Sequence, residues 1–147
     1  MRLLPVLMLI ALSPAVKAAD WTPAFEDNFE RAELGPDWWA TGLTRIEDGT
    51  LVMGREGDIG SSYALCRREF KGALRLEYDA LSPVETPCDL SAVLNGDESG
   101  YASGFFFGFG SQNNTTGRFI MKNEIVAEYP AIITPGKWHH VICERDG

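Results

Sequence analysis

Charged residues at alternate positions of the stretch "LRLEYDAL" are the first candidates for chemistry. Arg75, Glu77 and Asp79 alternate with apolar residues, and the two-residue period of a β-strand points their side chains to the same face. Paired carboxylates on one face can serve as general acid and base, or can accept hydrogen bonds from sugar hydroxyl groups. A solvated face on which the arginine pairs with its acidic neighbours is the structural alternative.

A second candidate site is the polar segment "GSQNNTTG". Gln112, Asn113 and Asn114 carry side-chain amides, which both donate and accept hydrogen bonds and therefore match the hydroxyl groups of a sugar. Asn and Thr also form ordinary turns by bonding their own backbone, so a plain turn is the alternative. We predict that a bound sugar contacts this segment, because loops on a rigid scaffold commonly carry binding groups.

Aromatic residues supply a third kind of candidate. Trp38, Trp39 and Trp138 could form a stacking platform for sugar rings, although packing in the core is the favoured interpretation for Trp138. The phenylalanines at 105, 107 and 109 share one strand face and are expected to form core. On the other face, tight packing against Gly108 and Gly110 is favoured over close approach of a ligand.

The cysteines and histidines give little sign of a metal site. Cys66–Cys88 would close the shortest loop, so we predict this disulfide, with Cys143 left over; three free buried thiols are the alternative. The chain has no CxxC pair and no His/Cys spacing typical of zinc, so we predict no metal of that type, and the sequence names no cofactor. His139 and His140 would point to opposite faces of a strand and cannot bind one ion together.

The elements that position these residues are predicted to be β-strands. Turn signals recur every eight to twelve residues, with hairpins around Asp48-Gly49 and around residues 122–124, and no long helical pattern follows residue 20. The pattern is typical of an all-β protein, and we predict a single jelly-roll β-sandwich of antiparallel strands spanning residues 19–147.

Residues 1–18 have the pattern of a signal peptide. A short positive start precedes an apolar run too short to span a bilayer, and the sequence "VKA" offers a cleavage site after Ala18. We therefore expect an exported protein, periplasmic or extracellular, without a membrane anchor after cleavage. Removal of Arg2 and Lys17 would change the net charge from −8 to −10, which argues against a nucleic-acid partner.

Three stretches carry a resemblance to known proteins: "FEDNFERAELGPDW", "RIEDGTLV" and "PGKWHHVICERDG". The chain from Phe25 to Gly147 resembles the concanavalin A-like lectin/glucanase superfamily, and within it LamG-like domains and the 3-keto-disaccharide hydrolase domain. The resemblance implies a sandwich. It also implies that further strands follow the last stretch, so we expect the domain to be incomplete at its C-terminus.

The resemblance implies glycan recognition more than hydrolysis. Retaining glucanases of this superfamily carry a Glu-x-Asp-x-x-Glu strand motif, which Glu77 and Asp79 fit but which Ser82 breaks; the next carboxylate, Glu85, lies beyond Pro83. We therefore expect a glycan or oligosaccharide as partner and a recognition or carbohydrate-processing role. The alternatives are a hydrolase of the 3-keto-disaccharide type and a structural adhesion module.

Overall fold

The computed structural model describes residues 21–54, 62–85, 87 and 89–146. The predicted signal peptide, residues 1–18, lies outside the described residues, and so does Cys88 of the predicted disulfide. Cys66 and Cys143 are not joined to each other. Within the described residues, we find no helix with the length and apolar character needed to cross a membrane.

Antiparallel β-strands make up nearly all of the regular structure, which confirms the all-β prediction. The ten strands in the described part of the chain are β1 (Trp38–Thr41), β2 (Thr44–Glu47), β3 (Thr50–Met53), β4 (Tyr63–Cys66), β5 (Leu74–Ala80), β6 (Ala92–Leu94), β7 (Phe105–Gly110), β8 (Thr116–Met121), β9 (Glu124–Pro130) and β10 (His139–Arg145). Two single turns of helical type, Tyr101–Ser103 and Ser111–Asn114, lie before and after β7.

The strands form four antiparallel sheets, with orders β1-β4, β2-β3, β5-β10 and β6-β7-β8-β9. Both predicted hairpins are confirmed. Asp48 and Gly49 join β2 to β3 with φ of 49° and 69°, and Lys122 and Asn123 join β8 to β9 with φ of 51° and 65°. A two-residue type I′ turn requires positive φ at both central residues. Hairpins favour this turn because its twist matches that of the flanking strands.

Two of these sheets pack face to face in the manner of a sandwich. The inner face of β5-β10 covers β6 and β7, and Ala92, Leu94 and Cys143 are buried between them. The partly buried side chains against this cluster are Leu74, Leu76, Tyr78, Phe105, Phe107 and Val141. The alternation predicted for β5 is therefore confirmed: Leu76 and Tyr78 face inward, while Glu77 and Asp79 are exposed.

Glycines on the other side of β7 pack tightly, as the sequence predicted. Gly108 and Gly110 are both buried. The ring of Phe106 and the hydroxyl of Ser111 lie where a side chain on Gly108 would project, and the Ile133 side chain lies where one on Gly110 would project. Ile133 itself is fully buried. The absence of a Cβ at these two positions therefore lets neighbouring side chains close over β7.

Candidate ligand-binding sites

The segment between β7 and β8 forms a left-handed turn. Gln112 and Asn113 have φ/ψ of 54°/59° and 57°/46°, and Asn114 has φ of 61°. The Thr115 N–H closes the turn by donating to the Ser111 carbonyl at 3.0 Å. Left-handed backbone costs about 1–2 kcal/mol per non-glycine residue, and Asn tolerates it better than most. Residues held in such conformations often belong to functional sites.

Contacts from two other parts of the chain, Asp89 and Ile133, hold this turn in place. The Asn114 Nδ2–H donates to the Ile133 carbonyl at 2.8 Å, and the Ile133 N–H donates to Asn114 Oδ1 at 2.6 Å. The buried Ser111 hydroxyl donates to Asp89 Oδ1 at 2.8 Å. The Ile133 side chain packs over Gly110. The backbone of the turn is therefore fixed by groups outside it.

The three predicted amide residues consequently have different roles. Gln112 and Asn113 are exposed, and their side-chain amides make no hydrogen bond to any described residue. Asn114 is half-buried, and both the N–H and the oxygen of its side-chain amide bond to the backbone of Ile133. Two amides thus face solvent on a rigid turn, while the third anchors that turn. Periodicity and composition alone do not separate these roles.

The other predicted site residues lie on the outer face of β5-β10, which we call the charged face: Arg75, Glu77, Asp79, His140, Ile142 and Glu144. Antiparallel register places His140 opposite Asp79 and Glu144 opposite Arg75. Arg75 contacts Glu77 Oε2 at 2.8 Å and Glu144 Oε1 at 3.0 Å. The two ring nitrogens of His140 lie 2.8 Å from Asp79 Oδ1 and 2.9 Å from Glu77 Oε1. A continuous line of ion pairs therefore crosses both strands.

These contacts set the protonation of the charged face. The hydrogen bond from Arg75, followed by the charges of Arg75 and His140, holds the pKa of Glu77 below its ordinary value. The hydrogen bond with Asp79 and the negative charges of Asp79 and Glu77 raise the pKa of His140 above its ordinary value. The sequence predicted the three β5 residues of this face. It did not predict that the pairing of β10 with β5 would place His140 and Glu144 beside them.

We expect the imidazole resonance of His140 to titrate with a midpoint above about 6.5 in an NMR pH series. Because this pKa is raised by folding, the stabilisation is complete below about pH 6.5 and is lost as the pH rises through the folded value. In Asp79→Asn the midpoint should move back toward about 6.5. An unchanged midpoint would contradict the assigned contact, and a His140→Gln variant identifies the resonance.

The tryptophans do not form one platform. Trp38 is half-buried between Phe25 and Phe29, with ring centroids 6.0 and 5.5 Å away, and its Nε1–H donates to Asp27 Oδ2 at 2.7 Å. Trp138 is 55% exposed, so the interpretation of Trp138 as a core residue is wrong. It directly precedes β10, whose first residue, His139, turns inward and packs edge-to-face on Phe109. Alternation along the strand leaves the indole outside.

A polar cleft that the sequence did not predict lies beside the segment before β1. Its volume is about 660 Å³, and its lining includes Phe25, Asp27, Arg31, Asp37 and Arg68. Arg31 forms a bidentate pair with Asp27, and Arg68 forms one with Asp37 while lying over the Phe25 ring at 4.5 Å. The four charges of these two pairs therefore neutralise one another. The Arg31–Asp27 pair lies within the N-terminal segment, whereas Arg68, through Asp37 and the Phe25 ring, attaches that segment to the residues after β4.

The two predicted groups of site residues stay apart in the structure: the described residues show no hydrogen bond or ion pair between the left-handed turn and the charged face. In the part of the chain that is described, no three His, Cys, Asp or Glu side chains are placed to hold a metal ion. The Cys66–Cys88 pairing stays a prediction. Comparison with protein-family models, curated proteins and solved structures gives no match for this chain.

Proposed function

We propose that this protein is an exported glycan-recognition domain and that Gln112 and Asn113 contact the sugar. The observation that carries the proposal is the left-handed turn. It holds two exposed side-chain amides on a strained but firmly anchored backbone, and neither amide is used by the described residues. Amides of this kind bind neighbouring sugar hydroxyl groups, since each can donate and accept.

The rigidity of the turn supports binding rather than a plain connection. Asn114 and Ser111 fix the backbone from both sides of the exposed pair, so little conformational entropy is lost when a ligand orders Gln112 and Asn113. An ordinary connection between β7 and β8 does not need three successive residues with left-handed backbone, as the two-residue turn at Lys122 and Asn123 illustrates.

Electrostatics on the charged face favours recognition over hydrolysis. The general acid of a glycosidase needs a raised pKa, so that it carries a proton at working pH. The pKa of Glu77 is instead lowered by Arg75, and both of its oxygens are engaged, by Arg75 and His140. A carboxylate that is paired and ionised at neutral pH is better suited to orienting a ligand than to donating a proton.

The proposal includes a sandwich of jelly-roll type, exported to the periplasm or beyond. Face-to-face packing of β5-β10 on β6 and β7 supports the sandwich. The signal-peptide pattern of residues 1–18 supports export. The partner is a glycan or oligosaccharide.

The test is a glycan array probed with the full chain and with a Gln112→Gly/Asn113→Gly double variant. Glycine accepts positive φ without strain, so the double variant should fold with unchanged stability or a gain of up to about 1 kcal/mol. Its glycan affinity should fall about tenfold or more, because each lost hydrogen bond contributes about 0.5–1.5 kcal/mol.

Asn123→Gly is the matched control. Asn123 is also exposed and has φ of 65°, but it lies in the turn between β8 and β9. This variant should bind glycans as well as the parent does. If the double variant also binds as well as the parent, or if the parent binds no glycan, the proposed function is wrong.

A further inference from the structure

We propose that protonation of His139 loosens the left-handed turn, so that glycan binding by Gln112 and Asn113 weakens in mild acid. This inference rests on the proposed function and concerns the regulation of the same site. His139 is the half-buried first residue of β10, and its ring lies on the opposite side of the strand from that of His140. It therefore takes no part in the charged face.

A second turn brings His139 back against the segment that anchors the left-handed turn. The Lys137 N–H donates to the Thr134 carbonyl at 3.2 Å, which closes this second turn. Pro135 and Gly136 are its central residues, and Gly136 has φ of 69°. Pro followed by Gly with positive φ is typical of a type II turn. The chain reverses here, so the Thr134 N–H can donate to Nε2 of His139 at 3.1 Å.

His139 contacts the chain on both sides of the left-handed turn. Before the turn, its ring packs edge-to-face on Phe109, with ring centroids 5.1 Å apart. After the turn, its partner Thr134 directly follows Ile133, whose backbone N–H and carbonyl both bond to the Asn114 side chain. Three hydrogen bonds and one aromatic contact therefore connect the imidazole to the turn.

The hydrogen bond from Thr134 defines the proton positions on the imidazole. Nε2 accepts an N–H group, so it carries a lone pair, and the neutral ring holds its proton on Nδ1. A second proton goes to Nε2, where it faces the Thr134 N–H. Two donors cannot bond to each other, so protonation breaks this contact and releases the backbone that holds Asn114. An imidazole ordinarily takes up this proton between about pH 8 and pH 5.

The charged and titratable groups near His139 are engaged elsewhere or make no bond to it. Asp79 bonds to His140, Tyr78 donates to the Leu90 carbonyl, and Asp89 accepts from Ser111. Within the described residues, the imidazole of His139 has no hydrogen-bond or ion-pair partner except Thr134. β7 carries no charged or titratable group; those on the other neighbouring elements are Tyr78, Asp79, Glu85, Asp89, Lys137, His140 and Cys143.

Hydrogen exchange of the full chain, followed by NMR, tests the effect on the turn without any glycan. The protection factors of the Ile133 and Thr115 amides should fall about two- to tenfold from about pH 8 to about pH 5, because a backbone hydrogen bond is lost. Thr115 reports on the turn itself, since its N–H closes it on Ser111. The Thr134 amide resonance should follow the titration of the His139 imidazole and not that of His140.

His139→Gln removes the titration but keeps an acceptor, because its side-chain oxygen can accept the Thr134 N–H. Protection in this variant should not depend on pH. His140→Gln is the matched control, since it removes the neighbouring histidine on the opposite face and should keep the pH response of the parent. On a glycan array, capture by the parent should weaken about two- to tenfold between the same pH values, and capture by His139→Gln should not.

Three results would overturn the inference and leave glycan recognition standing: protection in the parent that does not change with pH, an equal fall in His139→Gln, or pH-independent glycan capture by the parent. If His139→Gln does not fold, the parent decides, and a Thr134 resonance that follows His140 overturns the inference. If the parent captures no glycan at either pH, the proposed function is wrong, and the protection factors alone decide whether His139 controls the turn.

Discussion

Replacement of Asp27 with alanine is expected to lower the free energy of unfolding by about 2–4 kcal/mol, because Asp27 is a hub of charge-assisted hydrogen bonds. Its side chain is only 10% exposed and accepts from the Phe29 N–H, from the Arg31 guanidinium and from the Trp38 indole. The substitution leaves these donors without their acceptor, and it releases the N-terminal segment from β1. Urea unfolding followed by circular dichroism measures the loss.

The contribution of Asp27 to the free energy of unfolding is expected to decrease as the pH falls. The hydrogen bond from Arg31, with further ones from Phe29 and Trp38, holds the pKa of Asp27 far below its ordinary value. A carboxyl group whose pKa is lowered by folding stabilises fully above its unfolded pKa of about 3.9, and this stabilisation is lost as the pH falls through the folded value. The parent should therefore keep this contribution from pH 7 to 5 and lose it progressively below about pH 4.

Asp27→Asn separates the effect of charge from that of shape, because Asn has nearly the same size as Asp but cannot ionise. This variant should lose the part of the stability that depends on acid pH. Asp48→Asn is the control, since Asp48 lies in the β2-β3 turn, where Asn is equally suited to positive φ. A loss of less than about 1 kcal/mol in Asp27→Ala, or an equal loss in the control, would contradict the role assigned to Asp27.

Local patterns in the sequence predicted the parts of the fold that depend on neighbouring residues. The Asp48-Gly49 turn needs only two residues that accept positive φ, and the alternation of β5 needs only a strand with one buried face. The core role of Phe105 and Phe107 follows from the same alternation. These predictions are confirmed because the relevant physics acts over a few residues.

The contacts that define the candidate sites depend instead on residues far apart in the chain. His140 reaches Asp79 across 61 positions, and Asn114 reaches Ile133 across 19. Neither pairing has a local pattern, because each follows from strand register and loop packing. The sequence favours a core position for Trp138 because its strand looks apolar on both faces, whereas its exposure depends on which face of β10 the core covers.

The second large effect is expected at Gly110, where alanine should lower the free energy of unfolding by about 2–4 kcal/mol. Gly110 has φ of 77°, so a Cβ brings left-handed strain of about 1–2 kcal/mol. The same Cβ would collide with Cδ1 of Ile133, which is fully buried and cannot move into open space. Displacing Ile133 also pulls its backbone from Asn114, and so loosens the turn that carries Gln112 and Asn113.

Gly136→Ala is the control that measures backbone strain alone, so its difference from Gly110→Ala gives the contribution of packing to the loss of stability. Gly136 has φ of 69°, and beyond its chain neighbours no heavy atom of the described residues lies within 4 Å of the position that an alanine Cβ would take. Alanine there should therefore cost only the backbone strain of about 1–2 kcal/mol. In thermal and urea unfolding, Gly110→Ala should lose more than Gly136→Ala. Adding Ile133→Val, which shortens the colliding side chain, should restore part of the difference. Equal losses at the two glycines would mean that Ile133 does not hold the turn.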